Sequence, residues 1–155
     1  IARDKDGVSA IVTVLEMAAE LKAEGHSLLD RLDGIYREHG LHGTGQLSVR
    51  VDDLSIIARA MDVLRTSPPT ELAGLAVTSV DDLAEGYHGL PPTDGIRLGL
   101  EGGARIIARP SGTEPKLKCY IEVVIEVTDS IETARQAADE QLAGIKADLA
   151  ETLGL

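Results

Sequence analysis

The sequence RPSGTEPKLKCYIEVVIEV, residues 109–127, joins a short loop motif to the most regular apolar alternation in the chain. Apolar side chains recur there at every second position, at Leu117, Cys119, Ile121, Val123, Ile125 and Val127. Successive side chains of a β-strand point to opposite faces, so this spacing predicts a strand with one face in the core and one in water.

The rest of the sequence predicts the fold class to which this strand belongs. Predicted strands cover residues 47–51, 72–80, 96–100, 104–108 and 117–127. One predicted helix begins after Asp53 and ends at Ser67, and the last helix begins with a capping pair of Asp129 and Glu132. Helices gathered on one face of a mainly antiparallel sheet define an α+β domain.

Two further helices are predicted before the first strand. Residues 8–24 form an almost wholly apolar helix that Gly25 ends, and Ser27 with Asp30 begins a second helix that stops at Gly40. Most of the first helix's circumference should be buried. A hairpin of about 35 residues is too small to bury its own faces, so it needs a partner, either the following domain or a preceding one.

A domain boundary is predicted at the glycine-rich stretch 40–45, which we expect to be a loop and a hinge. This divides the chain into residues 1–40 and residues 41–155. The chain begins at Ile1 rather than at a methionine, and a motif follows at once, so we expect it to be a fragment of a longer protein.

The composition excludes several classes of function. The net charge of −11 and the near absence of aromatic residues oppose nucleic-acid binding. No apolar run approaches the roughly 20 residues that span a bilayer. The single cysteine excludes an internal disulfide, and no pair of the four histidines has the spacing of a metal site.

The segment RPSGTEPK, residues 109–116, has the chemistry of an anion-binding loop and is called the RPSGTEPK segment below. Arg109 offers a planar fork of donors that matches two phosphate oxygens, and Ser111 and Thr113 offer hydroxyls. Gly112 allows a close approach of the backbone and tolerates a positive φ. Pro110 and Pro115 stiffen the segment, so that less entropy is lost on binding.

The local charge agrees with an anion site. Four cations, Arg105, Arg109, Lys116 and Lys118, surround one anion, Glu114, which gives a local charge of +3 in a chain of −11. On the residues alone, a proline-stiffened hairpin turn whose arginine forms a surface ion pair explains the segment about as well.

The RPSGTEPK segment resembles the phosphate-binding loop in the last domain of the α-D-phosphohexomutases, the superfamily of phosphoglucomutases and phosphomannomutases. A second motif, RDKDGVSA at residues 3–10, resembles the family's third domain, closest to the phosphoglucomutase and phosphopentomutase branch. The resemblance implies a last domain with a fold like that of the TATA-box-binding protein, preceded by the last helices of the third domain.

The resemblance also implies a role for each matching residue. Arg109, Ser111, Gly112 and Thr113 would hold the phosphate that is not reacting, and Lys5 and Lys116 are further candidate substrate contacts. The family's phosphoserine and Mg²⁺ ligands lie in other domains, so the resemblance places no catalytic residue and no metal ligand in this chain, which would be inactive alone.

The implied enzyme is a cytoplasmic isomerase of carbohydrate metabolism. It would move a phosphoryl group reversibly between C1 and C6 of a hexose, with glucose preferred and glucose 1,6-bisphosphate as intermediate. Its partners would be the phosphosugar and the preceding domains of the same chain, with no nucleic acid and no membrane. The alternative is a stand-alone α+β module that senses a small anion and regulates a partner.

Overall fold

The computed structural model describes residues 5–155, so Arg3 and Asp4 of the RDKDGVSA motif lie outside the described residues. The described part contains four α-helices: α1 Gly7–Ala23, α2 Leu28–His39, α3 Leu54–Thr66 and α4 Ile131–Leu153. Its six strands are β1 Leu41–Arg50, β2 Glu71–Leu72, β3 Leu75–Asp82, β4 Ile96–Leu100, β5 Arg105–Pro110 and β6 Lys116–Ile125.

The strands form one antiparallel sheet in the order β1-β6-β5-β4-β3-β2. Strands β2 to β6 follow one another as a meander, and β1 returns to lie beside β6. The pairing of β1 with β6 runs from Leu41 opposite Ile125 to Arg50 opposite Lys116. This pairing brings the end of β1 next to the RPSGTEPK segment, although the two are far apart in the sequence.

The predicted α+β class, with two helices on one face of the sheet, is confirmed. Helices α3 and α4 bury their apolar stripes against the sheet, which offers alternate side chains of each strand. On β6 the buried residues are those of the predicted alternation, Leu117, Cys119, Ile121 and Val123. The opposite face of the sheet carries the polar and charged side chains.

Local signals placed most element boundaries correctly, but the cap of the last helix and the strand at 72–80 differ from the prediction. Ser130, and not Asp129, caps α4, because its hydroxyl accepts a hydrogen bond from the Thr133 amide at 3.0 Å. The predicted strand 72–80 is instead a short hairpin, in which Ala73 and Gly74 take up positive φ between β2 and β3.

The expected loop and hinge at residues 40–45 is wrong for residues 41–45, which lie in β1. Gly43 and Gly45 are paired there with Val123 and Ile121 of β6. A Cβ atom built on Gly43 would lie 2.9 Å from the Ala138 Cβ of α4, too close for a real contact. The glycine therefore allows the helix to approach the sheet closely, and only Gly40, with a φ of 84°, lies outside the strand.

Helices α1 and α2 form the expected hairpin with the expected caps. A full capping box joins Ser27 and Asp30, and Gly25 follows α1 with a φ of 82°. Within residues 5–155 no α1 side chain is buried and Val8 is 77% exposed, so the described residues do not supply the predicted burial of α1. Within the described residues α1 packs mainly against α2, and α2 in turn contacts β1 and α4. The covering of the apolar surface of α1 by a preceding domain stays a prediction.

Candidate anion-binding site

The RPSGTEPK segment connects β5 to β6 at one end of the sheet. Arg109 and Pro110 belong to β5 rather than to a loop, and the irregular part covers residues 111–115. Three backbone hydrogen bonds hold this turn: from the Ser111 amide to the Lys116 carbonyl at 2.8 Å, from the Val51 amide to the Pro115 carbonyl at 3.0 Å, and from the Lys116 amide to the Glu114 carbonyl at 2.7 Å. The second of these ties the end of β1 to the turn.

Strand pairing positions the backbone of Arg109, and its side chain has no hydrogen-bond or ion-pair partner in the described part of the chain. Its backbone is paired with Lys118 of β6, and its side chain points away from α3 and α4, because Ala108 beside it is buried in the core. The guanidinium makes no hydrogen bond or ion pair with residues 5–155. It is therefore an exposed, rigidly based group with all its donors available.

The turn offers donors next to Arg109. Ser111 is half-buried and Thr113 is exposed, and neither hydroxyl has a hydrogen-bond partner within residues 5–155. The amides of Gly112 and Thr113 are also unpaired there, whereas the Ser111 amide is already used by the Lys116 carbonyl. These groups could donate to an anion without breaking an internal bond.

Gly112 does not have the positive φ that the sequence suggested. A Cβ atom at this position would meet nothing within 4 Å. Neither the backbone conformation nor the packing within the described residues therefore requires a glycine here, and its place in the anion site stays a prediction.

The structure changes the set of cations that surround the segment. Arg105 lies at the other end of β5, about 13 Å away along the strand, and forms an ion pair with Glu122 at 3.0 Å. Arg50 takes its place, because the pairing of β1 with β6 sets it opposite Lys116. We call Arg50, Arg109, Lys116 and Lys118 the cation cluster, and all four are on the face of the sheet turned away from α3 and α4.

Glu114 is the acidic residue within this cluster. Its Oε1 atom lies 2.9 Å from the Lys116 Nζ atom and 3.4 Å from the Arg50 Nη1 atom. The pKa of this carboxyl is lowered, chiefly by the hydrogen bond and the charge of Lys116, with Arg50 and Lys118 adding to the effect. With Glu114 included, the cluster keeps a net charge of +3, which favours an anionic ligand.

Sequence reasoning missed Arg50, which precedes Glu114 by 64 positions. The only local signal is that Arg50 continues the polar side of the 47–51 alternation. That signal shows which face the side chain occupies but not which strand lies beside β1.

The remaining candidate residues lie elsewhere. Lys5 is exposed just before α1, which packs mainly against α2. Its role as a substrate contact stays a prediction. Within residues 5–155, no group of three or more His, Cys, Asp or Glu side chains is arranged to hold a metal ion. The Cys119 thiol is buried, and this burial raises its pKa to about 12. Searching the described helices for membrane spans finds none that is sufficiently long and apolar.

Residues 47–152 match the family model described as phosphoglucomutase/phosphomannomutase, C-terminal domain. A probable phosphomannomutase of Haemophilus influenzae is 43% identical over 120 residues, which are 77% of this chain and 24% of the relative. A phosphoglucomutase of Staphylococcus aureus is 34% identical over 143 residues, 83% of this chain and 26% of the relative.

The fold agrees with these matches. The crystal structure of the Paramecium phosphoglucomutase pp63/parafusin, in its open form, superposes with a TM-score of 0.64 at 20% identity. The superposition covers 99% of this chain and 28% of that one. The chain thus spans about a quarter of the length of the relatives it matches. The relatives named here are mutases, which gives no support to a stand-alone regulatory module. Because the family model covers two thirds of its residues and the fold agrees, the chain belongs to the family of C-terminal domains of phosphoglucomutases and phosphomannomutases.

Proposed function

We propose that this chain supplies the phosphate-clamping domain of a phosphosugar mutase, an isomerase that moves a phosphoryl group between C1 and C6 of a hexose phosphate, with glucose phosphate as the preferred substrate. The observation that carries the proposal is that unpaired donors follow one another directly in the chain at the end of β5, beside the cation cluster. The Arg109 guanidinium, the Ser111 and Thr113 hydroxyls and the Gly112 amide have no internal partners within residues 5–155 and lie together at one end of the sheet.

The proposed division of labour follows from the chemistry of each group. The planar Arg109 guanidinium binds two phosphate oxygens, because its paired N–H groups match their spacing. The hydroxyls of Ser111 and Thr113 and the amides of Gly112 and Thr113 donate to the remaining oxygens. Lys116 adds charge at the beginning of β6, and Lys5 is a further contact to the substrate.

The clamp holds the phosphate that does not react. In a mutase that passes through glucose 1,6-bisphosphate, the sugar must turn around between the two transfers, so each phosphate in turn must fit the same site. The site therefore recognises phosphate rather than one face of the sugar, and it must also release it. An exposed turn of hydroxyls, amides and one arginine meets both needs, because exposed charge interactions are individually weak.

The chemistry of transfer belongs to other parts of the enzyme. Phosphoryl transfer needs an acceptor, a metal ion and precise positioning. The described side chains do not fit a Mg²⁺ site, because no three carboxylates or histidines converge within residues 5–155. The proposed assignment is therefore that residues 1–40 complete the preceding domain, residues 41–155 form the clamp, and this chain alone is inactive, in a cytoplasmic enzyme without nucleic-acid or membrane partners.

The test is an NMR titration of the ¹⁵N-labelled chain with glucose 1,6-bisphosphate, with unphosphorylated glucose as the control ligand. We expect saturable shifts confined to residues 109–118, from the bisphosphate only. Arg109→Ala should weaken binding by about 1.5–3 kcal/mol, the range for hydrogen bonds to a charged group. Its melting temperature should be unchanged, because the side chain has no internal partner within residues 5–155.

Arg105→Ala is the matched control, because it removes the same charge from the same strand at the opposite end of β5. Equal affinities for wild type, Arg109→Ala and Arg105→Ala would refute the clamp. A collapse of the melting transition in Arg109→Ala alone would show that this arginine is structural.

A further inference from the structure

Arg50 is placed to act on the same ligand as Arg109. It is the last residue of β1, its backbone is opposite Lys116, and the Val51 amide that follows binds the Pro115 carbonyl at 3.0 Å. The side chain is 63% exposed and points away from α3 and α4. Two backbone connections therefore fix the base of an exposed guanidinium beside the turn.

The single side-chain partner of Arg50 in the described part of the chain is Glu114. Glu114 contacts both Arg50 and Lys116 through the same carboxylate oxygen. Arg50 and Glu114 are exposed whereas Lys116 is half-buried, and an exposed ion pair such as that of Arg50 with Glu114 contributes little to stability. Stability therefore does not explain why one carboxylate contacts two cations beside an open turn.

The Glu114 carboxylate contacts the same two cations that a bound anion would contact. Like a phosphate, it presents oxygens to a guanidinium and an ammonium. A dianionic phosphate on the turn would attract the same two cations more strongly than the single charge of Glu114 does, and it would be repelled by Glu114 itself.

We propose that Arg50 is a further phosphate-binding residue and that Glu114 is an internal competitor that holds Arg50 and Lys116 until the phosphate arrives. This inference rests on the proposed clamp. Arg50 and Lys116 leave Glu114 when a phosphate binds and return to it when the phosphate is released, so the affinity of the site is limited by the competing carboxylate. Such a limit suits a site that must release each phosphate in turn.

The experiment measures the dissociation constant of glucose 1,6-bisphosphate by the same titration for five variants of the whole chain. Arg50→Ala should bind about fivefold more weakly, and Glu114→Gln about two- to fivefold more tightly, the range for an exposed charge pair. Arg105→Ala and Glu122→Gln make the same changes in net charge at the Arg105–Glu122 ion pair and should change the affinity less than twofold. Arg109→Ala tests the clamp itself, because it removes the guanidinium that is proposed to hold the phosphate.

The outcomes separate the two proposals. If Arg109→Ala binds weakly while Arg50→Ala matches Arg105→Ala and Glu114→Gln matches Glu122→Gln, the clamp stands and the role of Arg50 and Glu114 is refuted. If Glu114→Gln binds more weakly than wild type, Glu114 orients the cations and is not a competitor. If wild type shows no saturable binding, both proposals fail. Melting curves of every variant confirm that the fold is kept.

Discussion

Replacing Gly43 by alanine tests how closely α4 packs on β1. The new Cβ atom would lie 2.9 Å from the Ala138 Cβ atom and 3.1 Å from a Val123 methyl group. Carbon atoms in contact lie about 3.5–4.0 Å apart, so the helix and the strand would have to separate by about 1 Å. Neither side can yield by turning a side chain, because both Cβ atoms are fixed to backbone.

The magnitude follows from the cost of overpacking. Inserting a methyl group into a well-packed core costs about 1–3 kcal/mol, and about 2 kcal/mol would lower the melting temperature of a chain of this size by about 4–8 °C. Without the clash, the Gly43→Ala substitution would be expected to stabilise the protein. A Gly→Ala change at a compatible position stabilises by about 0.4–1 kcal/mol, since the unfolded chain loses freedom.

The assay is urea denaturation followed by circular dichroism. Gly34→Ala is the matched control, because Gly34 lies within α2 and a Cβ atom there would meet nothing within 4 Å. We expect Gly34→Ala to stabilise and Gly43→Ala to destabilise. Ala138→Gly should offset part of the loss in Gly43→Ala, in a double-mutant cycle with a coupling free energy of about 1 kcal/mol or more. A Gly43→Ala variant as stable as wild type would refute the close packing of α4 on β1.

Three further predictions concern single side chains. Gly112→Ala should keep the wild-type melting temperature, because its Cβ atom has open space, yet lose affinity for glucose 1,6-bisphosphate in the titration; unchanged affinity would place the phosphate away from Gly112. Burial raises the pKa of the Cys119 thiol to about 12, so the thiol should not react with a thiol reagent in the native protein. The free energy of unfolding should fall as the pH rises from about 9 to the raised pKa, because the unfolded thiol loses its proton first. Cys119→Ala should remove this part of the dependence of stability on pH. The pKa of Asp82 is lowered, first by the Ala84 amide and also by Arg65, so its contribution to stability is present above pH about 4 and is lost as the pH falls through the folded value. Asp82→Asn should therefore show a smaller loss in acid unfolding, and an identical acid profile would contradict this.

Prediction from the sequence succeeded where the signal was local. The alternation from Leu117 predicted which face of β6 is buried, and Ser27, Gly25 and Asp53 predicted helix ends that the structure contains. It failed at Gly43 and Gly45, where glycine was interpreted as a flexible loop. A glycine looks the same in the sequence whether it makes a loop flexible or leaves room for a helix to pack on a strand. Only the position of Ala138 in the structure distinguishes the two.

The candidate site was predicted in part for the same reason. Arg109, Ser111, Gly112 and Thr113 are consecutive or nearly so, so their types and order in the sequence suggested an anion site. The choice between Arg105 and Arg50 depended on two ion pairs, one that removes Arg105 and one that brings Arg50 to Glu114. Neither pair can be inferred from residue spacing.

The sequence by itself determined the α+β class, the buried faces of α3, α4 and β6, and the presence of a segment whose groups could bind an anion. Backbone periodicity, caps and the donors of a short segment are properties of neighbouring residues. Only the tertiary structure decided that β1 lies beside β6 and that α4 touches Gly43, and with these the membership of Arg50 in the cation cluster. The physical reason is that strand pairing and helix docking minimise the free energy of the whole core, which no single segment contains.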